Sequence, residues 1–174
     1  MAINTVWSID LGKSSLKAAR LRRSQGNVEI IAVDKVDYPL GEGGEDTSAL
    51  AREALEVFLA RNSVKDPVVV AHPGQGTFSR FIKMPAFDHK KVDEMVGYEA
   101  SQQIPFPLDE VIWDYHVVDR EYLPGEEREV ALFAIRREAV EDFLLEFTNN
   151  ELAVESVSIG YLGVLNYAVH DLAL

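Results

Sequence analysis

Apolar and polar positions alternate along "TVWSIDL" from Thr5, again along "SLKAARL" from Ser15, and once more along "NVEIIAVDKVDYP" from Asn27 to Pro39. Alternation with a period of two marks half-buried strands, so this stretch reads as three strands joined by short turns, an antiparallel meander. The rhythm then changes. Leu50, Ala54 and Phe58, flanked by Ala51, Leu55 and Leu59, recur at helical spacing and predict an amphipathic helix. "PVVVAHPG", from Pro67, is a continuous apolar run of the kind found in strands buried on both faces.

The middle of the chain starts a second pattern. "TFSRFIKMP" from Thr77 alternates as a strand, and Asp88 is placed to cap a helix with apolar positions Val92, Met95, Val96 and Ala100. That helix must stop near Ile104, because Pro105 disfavours helical geometry in the residue before it, and Pro107 repeats the signal. Val111, Trp113, Tyr115 and Val117 line one side of a strand; "LPGEER" is a Pro-Gly turn, and "EVALFAI" returns antiparallel. Val140, Phe143, Leu144 and Phe147 mark a further amphipathic helix, ended by Asn149 and Asn150. "LAVESVSI" is a strand, and 160–172 begins a mostly apolar helix. The order is β-β-β-α-β, then β-α-β-β-α, then β-α. The sequence stops inside that last helix without a capping Gly or Pro, which leads us to expect a piece of a longer protein.

Charge narrows the function. With 29 acidic against 17 basic residues the net charge is −12, which argues against nucleic acid and against docking on an anionic membrane. Arg20, Arg22 and Arg23 form the one basic cluster, expected to be a solvated strand end. There is no cysteine, hence no disulfide or thiol chemistry. The start lacks the features of a signal peptide, and the most apolar window, 157–169, is too short and too polar to span a bilayer. The expectation is a cytoplasmic protein without direct membrane insertion. His72, His89, His116 and His170 lack metal-site spacing and are expected to be structural or surface residues. "HPGQG" from His72 reads as a crossover rather than a dinucleotide loop, since its third glycine is missing and no helix opens after it.

The candidate chemistry lies at Asp10-x-Gly12-x4-Lys17. Glycine and small serines in a hairpin let backbone N–H groups approach an anion. An aspartate at a strand end can hold Mg²⁺ through water, and a lysine on the returning strand meets phosphate as a point charge. An ordinary Asp/Gly turn satisfies the same spacing, so the motif alone leaves both readings open. Its position is more telling: "IDLGKSSLK" opens the meander and resembles, at Asp10, Gly12 and Lys17, the first phosphate hairpin of the superfamily of actin, heat-shock ATPases and sugar kinases.

A narrower resemblance runs through "HPGQGTFSRFIKMPAFDHKKVDEMVGYEASQQIPFPLDEVIWDYHVV". Pro85, Glu99–Ala100, Ile104-Pro105-Phe106-Pro107 and Asp114–Tyr115 make it similar to the PilM family of type IV pilus assembly proteins, relatives of FtsA. Ser14, Ser15 and Lys17 fall where that family has small hydroxyl residues and a lysine. The likeness covers the first half of a PilM-type protein. It implies an α/β fold: an incomplete actin-like (ribonuclease H-like) subdomain 1A over 1–75 and 152–174, with an inserted β-α-β-β-α subdomain 1C over 76–151.

The resemblance further implies a cytoplasmic adaptor with half of an ATP and Mg²⁺ site, drawn from Asp10, Gly12, Lys13, Ser14, Ser15 and Lys17, with Asp10 as the metal residue. It also implies a partner, the N-terminal peptide of the inner-membrane protein PilN, bound in a groove between 1A and 1C. Our candidates for that contact are Tyr98, Glu99, Ile104, Pro105 and Phe106; a helix exit packed on its own core is the other reading of "IPFPL". No second Asp-x-Gly occurs and 157–169 holds no carboxylate to orient a water, so no turnover is expected from this chain by itself. A sugar- or acid-kinase lobe of the same superfamily, and a self-associating scaffold like FtsA or the secretion protein GspL, are the competing readings.

Overall fold

The computed structural model describes residues 4–39, 47–86, 91–118, 121–123 and 125–171. The meander is present: β1 (Thr5–Leu11), β2 (Ser15–Ser24) and β3 (Asn27–Asp37) pair antiparallel. Helix α1 (Thr47–Arg61) follows, and then β4 (Val68–His72) returns parallel to β1. Strand β8 (Val154–Ile159) pairs parallel to β4 and completes a five-stranded sheet in the order β3-β2-β1-β4-β8; α4 (Gly160–Asp171) starts directly after it. A sheet of this kind needs an apolar cover. Trp7, Ile9 and Leu11 of β1, Leu16 and Ala18 of β2, and Val68 and Val70 of β4 pack with Ala54, Leu55 and Phe58 of α1. Phe58 sits edge-on to Trp7 with ring centroids 5.2 Å apart.

The chain divides into two compact units, 1–75 with 143–174, and 76–142. In the second unit β5 (Phe78–Met84), β7 (Arg128–Arg136) and β6 (Val111–Val117) form an antiparallel sheet in the order β5-β7-β6. Helix α2 (Val92–Gln103) covers one of its faces through Val96 and Ala100, packed with Ile82, Met84, Val111, Val130 and Leu132. The helix ends as its prolines require. Ile104 is extended at φ −76, ψ 124, and its N–H donates 2.9 Å back to the Ala100 carbonyl.

Three details differ from the sequence reading. Lys91, not Asp88, stands at the N-cap of α2 and makes no side-chain cap; Asp88, like His89 and the "GEGG" connection, lies outside the described residues. The second unit closes at Asp142 rather than at 151, because helix α3 (Arg137–Thr148) sends Phe143, Leu144 and Phe147 into the first core. Arg52 of α1 holds that end of α3 through Glu146, Nη2 to Oε1 3.0 Å. Finally, the basic cluster is not simply solvated. Arg20 forks onto Asp66 at 2.6 and 2.7 Å beside the Thr5 hydroxyl, and Arg22 pairs with Glu29 at 2.7 Å; only Arg23 makes no ion pair among the described residues.

Candidate functional site

β1, β4 and β8 run parallel, so their carboxyl ends share one edge of the sheet, the edge where open α/β sheets gather ligands. Asp10 pairs in register with Ala71, and Ala71 with Ser158, forming one row just below that edge. The β1–β2 turn rises beside it. Gly12 N–H donates to the Ser15 carbonyl at 3.1 Å and Tyr38 N–H to the Ser14 carbonyl at 2.9 Å, so the turn is pinned from within and from β3. Lys13 and Ser14 are left facing solvent, whereas Ser15 is buried. Across the hairpin Lys17 Nζ lies 3.4 Å from Asp10 Oδ2, both side chains exposed.

Close approach favours glycine at position 12. A Cβ there would come within 3.0 Å of the Ser15 carbonyl oxygen and 3.1 Å of Lys17 Nζ. The candidates Asp10, Gly12, Lys13, Ser14, Ser15 and Lys17 therefore fall on one hairpin, with a carboxylate and an ammonium held side by side. Such a pair can hold a hydrated divalent cation and donate to a phosphate oxygen of the same ligand. The row Asp10–Ala71–Ser158 offers one carboxylate, and no cluster of three His, Cys, Asp or Glu side chains occurs among the described residues.

Sequence reasoning missed Tyr38. Its side chain is buried and its hydroxyl has no hydrogen-bond partner among the described residues. Burial, and then the charge of Asp10, push its pKa up, so it stays a neutral phenol under the turn. The signal was available as an aromatic directly after a strand and before Pro39.

At the end of β4 His72 is buried, with Phe143 edge-on at 4.9 Å. Its Nδ1 accepts the Gly74 N–H at 3.0 Å, which requires a neutral ring. Gly74 has φ +79, and a Cβ there would meet Tyr161 of α4 at 2.9 Å. Burial lowers the His72 pKa from its ordinary 6.5. Since the unfolded chain binds that proton more readily, the contribution is fully present above pH 6.5 and is lost as pH falls through the lowered value. Thermal melts from about pH 7 to about pH 5, across the imidazole range, should show wild type losing stability more steeply than His72→Asn, whose amide oxygen can still accept the Gly74 N–H. Parallel curves would remove His72 from this role.

The expected peptide contacts lie in the second unit. Tyr98 is 66% exposed on α2 and Glu99 half-buried. Ile104 is only 4% exposed and belongs to the core, Pro105 is exposed, and Phe106 lies half-buried with the Arg136 guanidinium 4.7 Å from its ring centre. The exit of α2 thus anchors its own unit while leaving Pro105 and one side of Phe106 accessible. Nearby, the Tyr115 hydroxyl donates to Asp93, which drives its pKa up to about 12. A separate open groove of about 410 Å³ runs along β8, lined by Leu144, Thr148, Leu152, Val154 and Val157 and by none of the expected site residues.

An α/β sheet that opens on a strand meander, carries its hairpin at the carboxyl ends of the parallel strands and interrupts itself with a small second unit has the actin-like ATPase fold. A chain of a solved PilM–PilN type IV pilus biogenesis complex has this fold at a TM-score of 0.73 and 25% identity, over 97% of the present chain and 51% of its own. The cytoplasmic domain of EpsL, an inner-membrane component of the type II secretion system of Vibrio cholerae, matches at TM-score 0.52 and 15% identity, over 88% and 56%, a likeness of fold alone. The family model of the type IV pilus assembly protein PilM matches residues 8–169, and the chain belongs to that family. It spans about half the length of the solved relatives it matches. Among the described residues no helix is long and apolar enough to cross a membrane.

Proposed function

We propose that the chain is the nucleotide-facing and docking half of a cytoplasmic adaptor in type IV pilus assembly. The first unit serves as subdomain 1A and the second as the inserted subdomain 1C. The observation that carries the nucleotide reading is the Asp10–Lys17 pair over a Gly12 turn at the carboxyl ends of β1, β4 and β8. The residues present fit Mg·ATP: Asp10 would hold the ion through water, while Lys17 and the solvent-facing Lys13 and Ser14 would meet phosphate oxygens. One hairpin supplies few of the convergent contacts a nucleotide site needs, so the second lobe of the fold has to complete it. Bound between lobes, a nucleotide biases their arrangement and hence partner affinity, which is regulation rather than turnover.

The partner in this reading is a PilN-like N-terminal peptide, supported by the relative solved as a PilM–PilN complex. It docks on the second unit over Tyr98, Glu99, Pro105 and Phe106, with Ile104 holding that surface from beneath. An accessible aromatic beside a proline-bounded helix exit suits an extended peptide with apolar anchors. Fluorescence anisotropy with the labelled N-terminal peptide of the PilN-type partner tests this. Tyr98→Ala and Phe106→Ala should each weaken binding by about tenfold, the size of a truncated anchor. Undiminished affinity in both variants, with circular dichroism unchanged, would overturn the docking surface.

A further inference from the structure

The chain leaves the first unit through "HPGQG", where two glycines hold left-handed backbone, Gly74 at φ +79 and Gly76 at φ +73. Their surroundings differ. A Cβ on Gly74 would meet Tyr161 Cε1 at 2.9 Å, Tyr161 Cδ1 at 3.1 Å and Ile159 Cγ2 at 3.3 Å; one on Gly76 would meet nothing within 4 Å. Gly74 is also held through its backbone, because its N–H donates to His72 Nδ1 at 3.0 Å. His72 is itself fixed, buried against Phe143 and in register with Ile159. The clasp on the backbone therefore ends between Gly74 and Gly76, where the second unit begins. A hinge needs only a few residues free to change φ and ψ, and glycine has the most such freedom.

The cover over Gly74 comes from helix α4. Tyr161 lies in its first turn, three residues after Ser158 of the row that starts at Asp10. It is 45% exposed, so part of its ring closes on Gly74 and the rest meets solvent. Gly160 lets the helix start against the end of β4: a Cβ there would stand 3.4 Å from the His72 carbonyl oxygen. We infer that Tyr161 is the latch of a hinge at Gly74, through which the ligand edge of the first unit governs the crossover to the docking unit. The transmitting role rests on the proposed nucleotide and peptide readings. The latch does not, since none of their residues takes part in it. A ligand on that edge that favours one placement of the first turn of α4 shifts the latch with it.

Hydrogen exchange at the Gly74, Gln75 and Gly76 amides reads the latch in the 174-residue chain. Tyr161→Ala should speed that exchange about tenfold, without a matching rise in β4 and β8, because only a local opening becomes easier. Tyr161→Phe should keep the wild-type rates, since ring carbons make the contact. Val164→Ala, at a 70% exposed position of the same helix, should keep them too. Circular dichroism confirms that the variants fold. Unchanged exchange in Tyr161→Ala, an equal rise in Tyr161→Phe or Val164→Ala, or a rise spread evenly over the sheet would each overturn the latch. In a chain that carries both lobes, Mg·ATP should shift wild-type affinity for the labelled PilN-type peptide about fivefold, and that of Tyr161→Ala less than about twofold. A shift of equal size in both would overturn the transmitting role. No shift in wild type would instead overturn the regulatory reading on which that role rests, with the exchange rates still deciding the latch.

Discussion

Replacing Phe58 by alanine should destabilise the first unit by about 3–5 kcal/mol, the usual cost of emptying a buried aromatic site. Phe58 is fully buried, and its ring fills the space between Trp7 and the rest of the core. Trp7 has little freedom to collapse into the cavity because it lies on the central strand, paired on both sides. β1 carries Trp7 and Asp10 three residues apart, so loosening that strand should also disturb the candidate hairpin. Denaturant titration measures it, with the exposed Leu145→Ala as a comparison expected to stay within about 0.5 kcal/mol. A loss below about 1 kcal/mol for Phe58→Ala would mean that α1 does not anchor the sheet.

In a chain that carries both lobes of the fold, Asp10→Ala should weaken Mg·ATP binding by about tenfold to a hundredfold, the worth of a charged hydrogen-bonding contact. Lys17→Ala should act in the same direction, and the two together should fall short of additivity because Lys17 Nζ and Asp10 Oδ2 are already paired at 3.4 Å. If the proposed role of Asp10 as a metal residue holds, removing Mg²⁺ should erase most of the difference between wild type and Asp10→Ala. Isothermal titration reads all three. Equal affinity in wild type and Asp10→Ala would reduce the hairpin to an ordinary turn, and ATP hydrolysis by the 174-residue chain that vanishes in Asp10→Ala would replace regulation by catalysis.

The site was legible to the degree that it is local. Asp10, Gly12 and Lys17 lie within one hairpin, whose two-residue alternation sets the register, so spacing alone brings the carboxylate beside the ammonium. Tyr38 and His72 were not legible as neighbours of that edge, because β3 and β4 bring them there from outside the motif. The peptide candidates show the same limit. Tyr98 and Ile104 are six positions apart on and beyond one helix, yet one is exposed and the other is core, a distinction that the facing sheet makes.

Sequence by itself determined the elements and where they stop. Period-two alternation made the meander, helical spacing made α1 and α2, and Pro105 ended α2 by excluding helical geometry at Ile104. These are short-range steric and solvation effects, readable one segment at a time. Tertiary structure alone decided which strands meet, that Phe147 serves the first core and not the second, that Arg20 is claimed by Asp66, and that Val28, Ile30 and Val33 stay uncovered. Those outcomes depend on which surfaces are buried against one another across the chain, and an apolar residue carries no mark of the partner that will cover it.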